Sequence, residues 1–253
     1  MKTIIVALVV VLTSIAPYKV YSSTPLAALR QRLYVSYKSG DMGEWKRVME
    51  ALEISFGRTK SIPTLLELTQ TQYGYIGYLI GINEQRAARG VLKQAEENVE
   101  LILEKQPNHA EALALRASFI AYQLALNPLK APVLGPCSLA AIDRALELNA
   151  NSVQALMEKG NAKHYAPAIF GGNPLEATTF YSKALTQMRR ENGGEIPQSW
   201  MYLNALTQMA LAFEKANRLQ DALGVYRQII KIAPDFKWVV EYLYPKLNRR
   251  IQG

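Results

Sequence analysis

Residues 203–236 of the chain read LNALTQMALAFEKANRLQDALGVYRQIIKIAPDF. Apolar side chains recur in this stretch at the three- and four-residue spacing of two successive helix faces: Leu206, Met209, Ala210 and Phe213, then Ala222, Leu223, Tyr226, Ile229 and Ile230. Asn217 lies between the two patterns, where a residue in the left-handed conformation commonly ends a helix. Pro234 cannot continue the second helix. The stretch therefore predicts two amphipathic helices joined by a tight turn.

This pattern resembles the tetratricopeptide repeat (TPR), a helix-turn-helix unit of about 34 residues. Counted back from Pro234 as the closing proline, the hallmark positions hold Leu206, Ala210, Phe213, Ala222, Tyr226 and Ile229. Weaker copies predict further hairpins over residues 25–56, 63–107, 110–150 and 151–187, and a capping helix over 237–250. The resemblance implies an all-α fold, a right-handed α-solenoid of about four to five TPR-like hairpins with a C-terminal capping helix, in one domain over residues 23–253.

Glycine and proline predict where the helices begin and end. Gly90 is assigned to the turn of the second hairpin, and the proline-rich segment 127–136 is predicted to be non-helical, so that the next helix begins at Ser138. Pro245 is expected to kink or end the capping helix. Three glycines share one side of the long apolar helix in the second hairpin: Gly74, Gly77 and Gly81. Because each costs roughly 1 kcal/mol relative to alanine, we expect another helix or a ligand to approach that side closely.

The N-terminus has the layout of a secretory signal peptide. Lys2 precedes an apolar run from Ile4 to Ile15, which is shorter than the roughly 20 residues of a membrane-spanning helix. Val20 and Ser22 place small or medium side chains before a cleavage site, so we predict a signal peptide over residues 1–22, with cleavage after Ser22. A periplasmic or secreted bacterial protein without a stable membrane anchor is therefore expected.

Charge and composition indicate an ordinary globular domain. The chain has 253 residues, of which 49% are hydrophobic and 20% charged. Its 29 Lys and Arg residues and 21 Asp and Glu residues give a net charge of +8, and loss of Lys2 and Lys19 with the signal peptide would leave 27 − 21 = +6. Because the basic residues form no blocks, a nucleic-acid partner is not expected.

The sequence does not predict a catalytic or metal site. Cys137 is the only cysteine, so an internal disulfide is not possible, and we interpret it as a small buried residue rather than a thiol activated at a helix start. The only histidines, His109 and His164, do not have the spacing of a metal-ligand set. No Ser/His/Asp set, Cys/His set or phosphate loop is visible. We therefore expect a protein that is not an enzyme and carries no cofactor.

The TPR resemblance also implies where a partner would bind, because stacked hairpins bend around a concave groove lined by the first helix of each unit. When the ligand-binding positions of the TPR family are transferred to this sequence by the repeat register, the groove residues come from the third, fourth and fifth hairpins: Glu111, Ser118 and Tyr122; Gln154, Met157, Asn161 and His164; Asn204, Thr207, Leu211 and Lys215. Such a mixture of polar and apolar side chains suits a peptide or protein partner. The alternative is a face that is merely solvated.

The fourth hairpin carries an insertion in its turn. Gly160 and Ala177 are 17 positions apart, against 12 between the matching Ala210 and Ala222, so five residues are added. The distinctive residues of this insertion loop are Tyr165, Ile169, Phe170, Gly171 and Gly172. Its Phe-Gly-Gly segment resembles a turn of exported bacterial TPR proteins and is similar to the T component associated with TRAP transporters. Paired glycines permit positive φ, and the larger side chains either line an apolar pocket or pack the enlarged turn against the neighbouring hairpin.

These observations lead to two functional hypotheses. The first is a non-enzymatic periplasmic binding or scaffold protein that recognises a peptide or protein partner through the concave groove. The alternative, which the T-component resemblance implies, is a transport accessory protein that binds a small apolar ligand.

The signal-peptide interpretation predicts that the exported protein begins near Ser23, because signal peptidase cleaves after small residues that follow an apolar run. Mass spectrometry of the exported protein measures this directly. An intact N-terminus, or retention of the protein on membranes through the uncleaved apolar run, would contradict the interpretation.

Overall fold

The computed structural model describes residues 26–252, and all regular structure within that range is helical. The predicted signal peptide and its cleavage site lie outside these residues. Eleven α-helices follow one another: α1 Leu26–Ser39, α2 Met42–Thr59, α3 Ile62–Gly81, α4 Gln85–Lys105, α5 Ala110–Leu126, α6 Ala131–Leu148, α7 Val153–Tyr165, α8 Pro174–Glu191, α9 Trp200–Lys215, α10 Leu219–Ile232 and α11 Tyr244–Gln252. Short 3-10 turns at Pro128–Lys130 and Ala168–Phe170 precede α6 and α8, and a π-helical segment, Trp238–Leu243, precedes α11.

The helices pair into five hairpins that stack in chain order. Within each hairpin the two helices pack together, and the second helix of one hairpin packs against the first helix of the next. The first helices of neighbouring hairpins also pack, α3 on α5 and α5 on α7, while α11 lies on α10. This arrangement is the all-α solenoid that the sequence predicts.

Small and aromatic residues allow the paired helices to approach closely. Ala222, which matches the hallmark alanine of the repeat, is fully buried, as are the corresponding Ala95 and Ala177. Tyr226 and Ile229 are fully buried one and two turns after Ala222. Because each hairpin buries its apolar face against a neighbour, stability comes from stacking rather than from any one hairpin.

Three of the five hairpin turns use the same local structure. Gly40, Asn83 and Asn217 have φ values of 72°, 62° and 58°, the left-handed conformation expected after a helix. At the last of them the N–H of Arg218 donates to the carbonyl of Phe213 at 2.8 Å, which ends α9 with a Schellman motif. The prediction for Asn217 is confirmed.

Two sequence predictions about helix ends are wrong. Gly90 lies inside α4, because Asn83 already supplies the left-handed turn residue and Glu84 closes it with a bond to Leu79. The helix predicted from Ser138 begins instead at Ala131. The proline in the first turn of α6 costs no hydrogen bond, because a backbone N–H at that position has no partner within a helix. Pro136, one turn further on, removes only one backbone hydrogen bond.

The helical structure of the capping segment continues through Pro245. Pro245 lies in the first turn of α11, where its missing N–H is tolerated, and the π-helical turns immediately before it absorb the change in hydrogen bonding.

Close approach explains two of the three glycines on α3. A Cβ built on Gly74 would lie 2.7 Å from Cζ2 of Trp45, and one on Gly77 would lie 2.9 Å from the hydroxyl of Tyr122. Gly81 has open space around it. At Gly74 and Gly77, packing by other parts of the chain thus accounts for the absence of a side chain.

Two glycines inside helices should respond oppositely to alanine. A Cβ on Gly160 would lie 2.6 Å from the ring of Tyr181, whereas nothing lies within 4 Å of a Cβ on Gly90. Gly160→Ala should lower the unfolding free energy by about 1–3 kcal/mol through overpacking. Gly90→Ala should raise it by about 0.5–1 kcal/mol through helix propensity. Urea denaturation of both variants tests the packing, and a stabilised Gly160→Ala would contradict it.

Candidate functional site

The first and fifth hairpins touch, so the array returns on itself. The hydroxyl of Tyr37, on α1, donates to Oδ1 of Asn204, on α9, at 3.3 Å. Nζ of Lys38 lies 2.8 Å from a carboxylate oxygen of Asp235, after α10. Consequently side chains from the first helices of all five hairpins, α1, α3, α5, α7 and α9, meet in a common interior.

Aromatic rings fill part of this interior. We call them the inner aromatic cluster: Tyr37, Trp45, Tyr73, Tyr122, Trp200 and Phe236. The rings of Trp45 and Trp200 meet edge to face at 5.1 Å, and those of Tyr73 and Tyr122 stack at 5.5 Å. The indole N–H of Trp45 donates to the carbonyl of Thr71 at 3.0 Å, so its polar edge is satisfied. These contacts hold the inner helices together where an open groove was expected.

A buried carboxyl group lies beside these rings. Glu158, on α7, accepts hydrogen bonds from Nε2 of Gln154 at 2.9 Å and from Nδ2 of Asn161 at 3.2 Å. The hydroxyl of Tyr181 donates to Oδ1 of Asn161 at 2.8 Å, and Nδ2 of Asn161 lies 3.3 Å from the hydroxyl of Tyr73. These five residues form the inner polar network, and they join α3, α7 and α8.

Burial raises the pKa of Glu158 to about 7, although its hydrogen bonds to Asn161 and Ser118 act in the opposite direction. None of the ion pairs in the described part of the chain includes this carboxyl group. A buried acid without a cationic partner favours its neutral form, so Glu158 changes charge near neutral pH.

Half-buried and exposed side chains of the inner helices α5, α7 and α9 lie together at the surface, beside the C-terminal ends of these helices. We call this surface the mouth, and we assign to it Tyr122, Asn161, Tyr165, Gln208, Leu211 and Lys215. Tyr165 is 59% exposed, and its hydroxyl donates to Oε1 of Gln208 at 2.7 Å. Nζ of Lys215 donates to the backbone carbonyl of His164 at 2.6 Å, which ties α9 to the end of α7.

Behind the mouth, His164 is a buried neutral base. Its ring stacks on Tyr165 at 4.2 Å, and its Nδ1 is buried without a hydrogen-bond partner. Burial, and then the charge of Lys215, lower the pKa of His164 to about 4. Oε1 of Gln154 is a second buried polar atom without a partner.

The residues that the sequence assigns to one groove occupy different environments in the structure. Tyr122, Asn161, Leu211 and Lys215 line the mouth, and Asn204 joins the contact between the first and fifth hairpins. Four others are buried and have almost no surface to offer a partner in this conformation: Ser118, Met157, His164 and Thr207, together with Gln154 of the inner polar network. Glu111 lies away from the mouth, at the start of α5, where its carboxylate is 3.4 Å from His109.

The insertion loop projects from the fold. Ile169 and Phe170 are exposed, so neither side chain packs the turn, and neither lines an enclosed pocket. Gly171 has a φ of 82°, as expected for paired glycines. Gly172 is required for a different reason, since a Cβ there would lie 1.9 Å from the carbonyl oxygen of Ala166.

Sequence reasoning missed the acid at the centre of the site. Gln154, Glu158 and Asn161 are spaced i, i+4 and i+7, which places all three on one face of α7. That spacing could have identified Glu158. The interpretation of Cys137 as a small buried residue is also wrong, because Cys137 is exposed on α6. The helix begins earlier than expected, and Cys137 lies on its projecting end.

Two further properties concern metals and membranes. Within residues 26–252, no group of three or more His, Cys, Asp and Glu side chains is placed to hold a metal ion. None of the helices in the same range is long and apolar enough to cross a membrane.

Comparison with known proteins shows the fold. No protein-family model and no curated protein matches the sequence. Among solved structures, the chain is similar to TTC0263, a thermophilic TPR protein in Thermus thermophilus. The match has a TM-score of 0.56 and 15% sequence identity, and it covers 86% of this chain and 96% of the other. The chain therefore has a TPR-like fold, as its sequence predicts, while the similarity to the T component stays a prediction.

Replacing Glu158 with glutamine should change how stability depends on pH. Folding raises the pKa of this acid from 4.5 to about 7, so above pH 4.5 the unfolded chain ionises while the native state stays protonated. Wild-type stability should fall as pH rises through this window. Between about pH 5 and pH 8, the stability of Glu158→Gln relative to wild type should increase by roughly 2 kcal/mol.

Urea unfolding of both proteins across this range measures the difference. His164 has the opposite pH dependence, because its lowered pKa costs stability as pH falls from about 6.5 to 4, but it is common to both proteins and cancels. Parallel stability curves would show that Glu158 is already ionised in the native state.

Proposed function

We propose that this TPR-like solenoid is a non-enzymatic, exported binding protein that holds a protein or peptide partner at the mouth. The observation that carries this proposal is the arrangement of the mouth, where consecutive inner helices present hydrogen-bonding groups beside apolar surface. Asn161 and Tyr165 come from α7, and Gln208, Leu211 and Lys215 come from α9. A TPR-like fold is itself typical of protein-interaction scaffolds.

The groups at the mouth fit a polypeptide. The amide of Gln208 can both donate and accept hydrogen bonds, as a peptide backbone requires, whereas the amide of Asn161 is already bonded to Glu158, Tyr73 and Tyr181. Lys215 is an exposed residue, and the carbonyl of His164 uses only one of the three Nζ donors, so the others can pair with a carboxylate. Leu211 and the ring of Tyr165 supply apolar contact. Hydrogen bonds and a small apolar patch together suit a modest, specific interface.

The alternative, a transport accessory protein that binds a small apolar ligand, requires an apolar chamber. The described interior is occupied by the inner aromatic cluster and the inner polar network. An open groove of about 930 Å³ along α4 is lined largely by charged side chains, including Glu96, Glu100 and Arg116. For these reasons we favour a polypeptide partner. Location in the periplasm is proposed from the N-terminal layout alone.

A photo-crosslinking amino acid placed at Leu211 tests the proposal in the host cell. We expect it to trap a discrete partner band, because Leu211 lines the mouth. Thr186, exposed on α8 and away from the mouth, provides the matched control position. Lys215→Glu in the same background should reduce the trapped band several-fold, since it reverses the charge offered to the partner.

Equal crosslinking from Leu211 and Thr186, or the absence of any band from Leu211 while Thr186 gives one, would place the partner elsewhere. Circular dichroism of the Lys215→Glu variant shows whether the fold is retained, as the exposure of the side chain leads us to expect.

A further inference from the structure

Two segments project from the same solenoid and carry bulky apolar side chains into solvent. In the link before α6 and the first turn of that helix, Leu129 is 90% and Val133 71% exposed. In the insertion loop, Ile169 is 85% and Phe170 64% exposed. Single exposed apolar residues are ordinary, but their concentration in two projecting segments indicates a surface that binds another molecule.

Both segments depart from the compact turn of the other hairpins. The remaining three turns close with a left-handed residue at Gly40, Asn83 or Asn217. By contrast, α6 has no buried residue before Ser138, so its first turns extend past the core. A 3-10 turn lifts Ile169 and Phe170 away from α7 in the same way.

Helix packing places the two projections at one edge. The helices α5 and α7 pack on each other and run parallel, because α6 reverses the chain between them. Their register agrees with this direction, since Ser118 contacts Glu158 and Tyr122, one turn later, interacts with Tyr165. The C-terminal ends of α5 and α7, and hence Leu129 and Phe170, lie at the same edge of the solenoid. We call the four exposed side chains Leu129, Val133, Ile169 and Phe170 the apolar edge.

Few acidic residues lie close to the apolar edge in the sequence. No Asp or Glu occurs in residues 112–142 or 159–175, the stretches that carry both projections. Lys130 is exposed directly beside Leu129, and Lys163 lies at the base of the insertion loop, where it pairs with Glu176 at 2.9 Å. Glu176 is thus neutralised by Lys163, and Lys130 remains beside the apolar tips. This combination is complementary to a negatively charged surface that has an apolar interior.

We propose that the apolar edge docks this protein on an anionic lipid surface. Leu129, Ile169 and Phe170 insert at the level of the lipid headgroups and upper acyl chains, and Lys130 lies among the phosphate groups. The contact is peripheral and reversible, because it involves two turns and no spanning helix. A second copy of this chain is the less suitable occupant, since two such edges would bring their Lys130 side chains together while the nearby Glu176 is already paired with Lys163.

Vesicle co-sedimentation of the exported protein tests the proposal. We expect wild type to bind vesicles of phosphatidylcholine with about one third phosphatidylglycerol, and to bind pure phosphatidylcholine more weakly. The combined variant Leu129→Ser, Ile169→Ser, Phe170→Ser should lose roughly tenfold or more in binding, since three exposed apolar side chains are removed. Lys130→Glu should weaken binding to the anionic vesicles only.

A control variant removes three exposed apolar groups from outside the apolar edge: Val35→Ser, Ile54→Ser and Tyr242→Ser combined. It should bind as wild type does. Cys137 lies one turn after Val133 and is the only thiol, so an environment-sensitive dye attached there should shift to the blue when vesicles are added. Because every substituted side chain is exposed, melting temperatures should remain close to that of wild type.

Three results would overturn the proposal. The first is wild-type protein that binds neither vesicle. The second is equal loss of binding in the edge variant and its control. The third is size-exclusion chromatography with light scattering that shows a wild-type dimer which the edge variant abolishes, since the edge would then be covered by a second copy.

Discussion

The packing of the first hairpin against the fifth is the constraint on which the interior depends. A stack of helical hairpins leaves one face of its inner helices open unless the curvature brings its ends together. Here Tyr37 and Trp45 meet Trp200, and the ends are joined. Closure excludes water from the inner helices, so the polar side chains that face inward must find partners within the chain.

The behaviour of Glu158 is a direct consequence of that closure. In an open groove its carboxylate would be solvated and would remain charged. In the closed interior it is held by two amides and has no cation nearby, so its pKa rises to about 7. Two amide donors offset part of the desolvation cost. The same low-dielectric interior lowers the pKa of His164, and the two groups oppose each other in their effect on stability as pH changes.

Local signals predicted much of the fold. Asn217 and Pro234 marked helix ends correctly because turn geometry and the missing proline N–H act over a few residues. The apolar spacing of residues 203–236 identified the helix faces for the same reason. Gly90 was wrongly assigned to a turn. A single glycine is tolerated inside a helix, at a cost of about 1 kcal/mol, when the packing of the other residues of that helix compensates.

The contact between the ends could not be predicted in this way. Tyr37 and Asn204 are 167 positions apart, and their meeting depends on small rotations between hairpins that add up along the stack. The repeat register correctly placed Tyr122, Asn161 and Lys215 on inner helices. It could not distinguish an open groove from one filled by side chains. That distinction decides which groove residues are buried, as Ser118 is, and which reach the mouth.

The mouth and the apolar edge lie at the same end of the solenoid. Tyr165 lines the mouth and also begins the insertion loop that carries Ile169 and Phe170. A surface that covers the loop therefore limits the directions from which a polypeptide can reach Leu211 and Lys215. If the edge rests on a membrane, the partner must approach close to the lipid, as an extended segment can and a bulky folded domain cannot. The two proposals thus constrain each other, because one loop takes part in both.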